Sequence, residues 1–138
     1  MYELTDPVLD QIRNLKRQKL IVLGVMLALS GIFGVLDSVY ESVPGWEKTS
    51  FILDTLSFAI CLSVWCSYDA ALHGFRLSPG VRLAVILIAL IGFPVYAFKY
   101  RGRGGWRLLG LGVLFFLLLM GVSIVAGCVT DLIMENVL

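Results

Sequence analysis

Two acids stand where acids are expensive. Asp37 lies at the end of one long apolar run and Asp54 near the start of the next. A charge at the centre of a bilayer costs at least about 2.5–3.5 kcal/mol, so an ionisable residue inside such a run is a functional suspect. Together, Asp37 and Asp54 could hold a cation or relay a proton. The simpler reading is that Ser50 caps the second helix and leaves Asp54 in its first turn, where the helix dipole favours a carboxylate. Asp69 and His73, spaced i, i+4, share a helix face at the opposite end of the same run. They could be half of a metal site or a proton-handling pair. With a single histidine in the chain and no second carboxylate nearby, the ligand set is too small, and a helix-terminal ion pair accounts for the spacing.

The remaining chemical signatures are missing from the sequence. There is no HExxH, no P-loop and no GxGxxG in a phosphate-binding context, and no serine or cysteine has a histidine at a nucleophile's spacing. One histidine cannot supply two axial haem ligands. The expectation is a non-enzymatic protein with no catalytic residue, metal or cofactor. Cys61, Cys66 and Cys128 all lie within apolar runs and read as free thiols.

The other chemically loaded stretch is Lys99-Tyr-Arg-Gly-Arg-Gly-Gly-Trp-Arg107, a basic connection between two apolar runs. Its Lys99, Arg101, Arg103 and Arg107 could hold lipid phosphates or an acidic partner, with Trp106 setting the depth. The simpler reading is an ordinary charged anchor that fixes orientation. A loop this short gives no purchase on nucleic acid. Trp65, Tyr68 and Trp106 read as aromatics of the membrane interface.

The elements that must position these residues follow from composition. Of 138 residues, 59% are hydrophobic and 15% charged, and the mean hydropathy is +0.90. Soluble domains are about a quarter charged. The apolar residues are grouped into runs close to the ~20 residues that cross a ~30 Å hydrocarbon layer. The fold expected is all-α, a polytopic four-helix transmembrane bundle forming one membrane domain over residues 1–138. A short basic amphipathic helix at 5–19 precedes apolar helices at 20–38, 51–72, 81–98 and 107–130. The first run begins only after a charged lead and has no small-x-small cleavage pattern after it, so it reads as a retained anchor.

Small residues suggest how the helices pack. Gly24, Ala28, Gly31, Val35 and Ser38 form one face of the first run, and Thr55, Ala59, Ser63, Cys66 and Ala70 form a matching stripe on the second. A close-packed hairpin of these two is expected. The third run is interrupted by Gly92-Phe-Pro94, where a kink or break should fall.

Charge placement sets two topologies against each other. With four crossings and the N-terminus inside, six Lys and Arg residues lie inside and five outside, which decides nothing. If the third run enters and turns back at Gly92-Phe-Pro94, ten lie inside and only Lys48 outside. The alternative to the four-helix bundle is therefore three spans plus a re-entrant third segment. Against it stands the cost of unpaired backbone groups at a turn in hydrocarbon.

The pattern Trp65-Cys-Ser-Tyr-Asp69, a short polar turn, then Pro94-Val-Tyr96 followed by Lys99 and Arg101 resembles one recurring in small bacterial multi-span proteins of unknown function. The resemblance spans roughly Phe51 to Arg107. It implies a four-helix membrane protein without an activity and carries over no functional residue. The location expected is a bacterial inner membrane, with the N-terminus cytoplasmic. The functions that fit are an accessory or assembly subunit of a membrane complex, a small oligomeric transporter or channel, and an anionic-lipid-binding protein. The corresponding partners are the bilayer, anionic lipid, and other membrane subunits or further copies of the chain.

Overall fold

A computed structural model of the chain describes residues 6–87 and 89–137, with residues 6, 89 and 90 described by their backbone only. Its described secondary structure is helical throughout: α1 (Asp6–Tyr40), α2 (Trp46–Leu72), α3 (Pro79–Leu87), α4 (Ala89–Arg101) and α5 (Gly105–Val137), with a single 3₁₀ turn, Gly102–Gly104, between the last two. Three stretches contain a helix long and apolar enough to cross a membrane: Pro7–Tyr40, Trp46–Leu72 and Ile91–Val137. In the last of these, α5 is the element of sufficient length.

α1 joins what the sequence divides into an amphipathic lead and an apolar run. Pro7 lies in its first turn, where a missing N–H costs nothing. From there to Tyr40 no glycine or proline is followed by a break, and Lys16, Arg17, Gln18 and Lys19 are good helix formers. α2 starts at Trp46, not near residue 51, because Gly45 takes up the left-handed conformation (φ 83°) that begins the helix. Ser50 is therefore not a cap. It is buried within α2 and donates its hydroxyl to Asp37, while the indole Nε1 of Trp46 donates to the same carboxylate at 3.0 Å. These bonds tie the C-terminal end of α1 to the start of α2, and a contact between Lys19, near the middle of α1, and Asp69 fastens the other end of α2. The pair is an antiparallel hairpin.

α5 runs parallel to α1. Ser30 donates to the Leu119 carbonyl at 2.7 Å and Ser38 to the Gly127 carbonyl at 3.1 Å, both with a sequence separation of 89. Midway between them a Cβ at Gly34 would strike the carbonyl oxygen of Ser123, so only glycine permits this approach. The small residues of α1 that meet α5 are therefore Ser30, Gly34 and Ser38, and a Cβ at Gly31 would lie 3.7 Å from Val122, whereas Gly24, Ala28 and Val35 of the expected face are exposed. On α2 the expected stripe is buried at Ala59, Ser63, Cys66 and Ala70.

A parallel α1 and α5 require the segment between α2 and α5 to end where it began. The third apolar run, expected as one helix over 81–98, is two short antiparallel helices. Nine residues of α3 rise only about 13 Å at ~1.5 Å each. A Cβ on Gly92 would lie 2.5 Å from the backbone of Val85, and the hydroxyl of Tyr100 accepts from the Ser78 N–H at 3.2 Å, so α4 retraces α3. The reversal precedes Gly92-Phe-Pro94; Pro94 sits early in α4, where few carbonyls precede it. A second reversal at Gly102 (φ 52°) starts α5, bringing Gly105 against Ala97 and Gly112 against Phe93. The core lies among α2, α3, α4 and the start of α5, built from Cys66, Ala70, Val81, Val85, Tyr96, Ala97 and Leu108.

Candidate functional site

Asp69 is wholly buried three residues before α2 ends. A carboxylate there faces the negative end of the helix dipole and has lost its water, two costs that require compensation. Two cations supply it. Lys19, from α1, donates to Oδ1. Arg101, the last residue of α4, donates from Nη2 to Oδ1 at 2.8 Å and to Oδ2 at 3.0 Å, and from Nε to Oδ2 at 3.3 Å. Tyr96, buried one turn earlier on α4, donates its hydroxyl to Oδ2 at 2.7 Å. One carboxylate thus clamps α1, α2 and α4 at a single end of the molecule. This arrangement exists only because α4 returns to that end.

His73, the expected partner of Asp69, plays a smaller part. Its Nδ1 lies 2.8 Å from the backbone carbonyl of Asp69 and 3.9 Å from the carboxylate. Sequence spacing does not reveal Lys19 and Tyr96 as partners of Asp69, and it offers Arg101 to lipid or an acidic partner instead. A signal for them was present, since an acid in the last turn of an apolar helix with no Lys or Arg at i±3 or i±4, and only a histidine at i+4, demands a permanent cation from elsewhere.

Trp65 is also more than an interface aromatic. The Lys19 ammonium lies 4.7 Å from its ring centroid, a cation–π contact. Its Nε1 is buried without a hydrogen-bond partner among the described residues. The ring borders an apolar cavity of about 450 Å³ walled by α1, α2, α4 and α5.

At the opposite end from Asp69, Asp37 is held by Trp46 and Ser50, and Asp54, in the third turn of α2, is exposed and close enough to feel the charge of Asp37. The described residues contain no group of three or more His, Cys, Asp or Glu side chains that could hold a metal ion. Lys99, Arg103 and Arg107 are exposed at the same end as Asp69, with Trp106 resting edge-on against Phe98 at 5.3 Å. Of the basic residues of that loop, Arg101 is the one that turns inward.

The carboxylate has its lone pairs engaged by Lys19, Arg101 and Tyr96, so it is neither a free base nor a ligand for a further cation. These features define an all-helical chain with three helices long and apolar enough to cross a membrane, fastened at one end by a buried ionic cluster. No protein-family model, curated protein or solved structure matches it.

Proposed function

We propose that the protein is a non-enzymatic integral membrane protein that serves as an accessory or assembly subunit of a membrane complex. In this reading α1, α2 and α5 cross the bilayer, α3 and α4 form a re-entrant pair, and the N-terminal end of α1 is cytoplasmic. The observation that carries it is how the interior polar groups are spent. The Asp69 carboxylate is fully engaged by Lys19, Arg101 and Tyr96, which leaves it no capacity to carry a substrate ion or a proton. What the chain offers its surroundings is apolar surface, with Leu20, Phe51 and Leu114 among many large side chains more than 60% exposed.

The charges support the orientation. Arg13, Lys16, Arg17, Lys19, Arg76, Arg82, Lys99, Arg101, Arg103 and Arg107 gather at the Asp69 end, leaving Lys48 as the single basic residue at the other. That is the bias of a cytoplasmic face. The objection that a re-entrant turn strands backbone groups is weakened because α3 and α4 are helical on both sides of the turn and satisfy most of those groups internally. An oligomeric transporter lined by Asp37 or Asp54 has less support. Asp37 is already bonded twice, and Asp54 stands without it as a hydrogen-bond partner.

Two measurements test this. In a chain with Cys61, Cys66 and Cys128 replaced by alanine, a single Gly104→Cys should be labelled by an impermeant thiol reagent from the same side as the N-terminus, and Asn136→Cys from the opposite side. The reverse pattern would restore four crossings. Extraction of tagged protein from native membranes in mild detergent should yield a second membrane protein in fixed stoichiometry. Recovery as a uniform lone monomer would remove the subunit role.

A further inference from the structure

The ionic cluster carries two cations for one carboxylate, and the apolar cavity begins one helical turn deeper. Leu23 on that wall follows Lys19 by four residues, and Trp65 precedes Asp69 by four. Trp65 is the shared boundary, with Lys19 above its ring and its indole N–H unpaired. The cavity continues past Leu62 to Phe58, eleven residues from Asp69, or roughly 16 Å of helix. Its volume of about 450 Å³ is within the range of ligand pockets, and its walls include Met26, Phe93 and Phe116.

We propose that this end of the molecule is a binding site for one anionic phospholipid, its phosphate held by Lys19 and Arg101 and an acyl chain laid in the cavity below Trp65. The donors remain to be used. Lys19 spends one of its three N–H bonds on Asp69, and Arg101 directs Nε and Nη2 at the carboxylate while Nη1 has no partner among the described residues. Both side chains keep a partly open edge, 19% and 27% exposed, so a phosphate can reach them without breaking the cluster. A bound phosphate would bring the two cations and two anions into balance, and charge-assisted bonds of this kind are the strong ones. The exposed Arg103 and Arg107 near the same end add long-range attraction for an anionic headgroup. The commitment to a lipid over a free anion comes from the cavity, which an inorganic ion would leave empty.

This inference rests on the membrane reading above, whose thiol-labelling test is independent of lipid. The experiment is retention of lipid by the full chain in mild detergent, followed by native mass spectrometry and by thermal unfolding. The probes are phosphatidylglycerol, phosphatidylcholine with the same acyl chains, and inorganic phosphate. One phosphatidylglycerol per chain should survive delipidation that removes phosphatidylcholine, and it alone should raise the unfolding midpoint. Lys19→Met, which leaves Asp69 paired with Arg101, should weaken phosphatidylglycerol retention about tenfold or more, as expected for loss of one charge-assisted bond. Leu111→Trp adds bulk at an exposed position of the cavity wall and should weaken it similarly while the protein stays monodisperse. Val113→Trp, also exposed on that wall, is the second filler should the first not fold. Equal retention of both phospholipids would reduce the site to ordinary boundary lipid and overturn the proposal. So would undiminished retention in a folded cavity-filling variant, or stabilisation by inorganic phosphate equal to that by phosphatidylglycerol.

Discussion

Asp69→Asn is expected to be the most damaging single substitution in the chain. The change is nearly isosteric, so its effect isolates charge. Asparagine would leave the Lys19 ammonium and the Arg101 guanidinium facing each other across a buried amide, with one of its two terminal atoms a donor where both now accept. Breaking a buried ion pair from one side typically costs about 3–5 kcal/mol. A whole domain has only about 5–15 kcal/mol to lose. The expected result in detergent is a marked fall in the thermal unfolding midpoint, with loss of monodisperse protein at 37 °C. Lys19→Met should cost much less, because it leaves a neutral Asp69–Arg101 pair still joined by three bonds. The order of the two variants is the test. If Lys19→Met were as harmful as Asp69→Asn, or if Asp69→Asn unfolded with the parent, the carboxylate would not be the fastening point of α1, α2 and α4. A double variant adds a second check, since residues in one ionic network couple by about 0.5–3 kcal/mol and the two effects should not sum.

That cluster also marks where sequence reading stops. The helices themselves were legible, because uninterrupted apolar runs over 20–38, 51–72 and 107–130 leave little alternative to long helices. Two local signals misled. Ser50 resembles a cap, yet Gly45 starts the helix earlier and the serine spends its hydroxyl on Asp37. Gly92-Phe-Pro94 resembles a break, yet the turn comes sooner, and Gly92 is required for a contact with Val85 that is close only after the chain has reversed. Hydropathy is continuous through residues 81–98 and is blind to such a reversal. Charge was more informative, since counting Lys and Arg pointed to a third segment returning to the end it left, which is how α3 and α4 lie. The partners of Asp69 were out of reach for a different reason. His73 is four residues away and visible to helical spacing, whereas Lys19 and Arg101 are 50 and 32 residues away and meet Asp69 only through the packing of three helices. Asp69, Tyr96 and Arg101 belong to two short polar stretches of the sequence, 65–69 and 94–101, that meet in space.

The parallel seam of α1 and α5 is the other joint on which the topology depends, and glycine-to-alanine changes on α1 should affect it in opposite directions by position. At Gly34 a methyl group would enter the carbonyl of Ser123, a backbone atom that cannot rotate aside. The two helices must separate, and separation stretches the hydroxyl bonds from Ser30 to Leu119 and from Ser38 to Gly127 that flank the contact one turn to either side. Overpacking alone costs about 1–3 kcal/mol. Each interhelical hydroxyl bond adds a further ~0.6 kcal/mol, so Gly34→Ala should destabilise by roughly 2–4 kcal/mol. At Gly24, ten residues earlier on the same helix, nothing lies within 4 Å of the new methyl. There the gain in helix propensity, up to about 1 kcal/mol, is unopposed and Gly24→Ala should raise the unfolding midpoint. Since the chemical change is identical, a common helix-propensity effect cannot produce opposite signs; only a contact at one site and its absence at the other can. A midpoint that rises for Gly34→Ala as it does for Gly24→Ala would mean that α5 does not lie against Gly34. The parallel register would then be lost, and with it the requirement that α4 bring Arg101 back to Asp69.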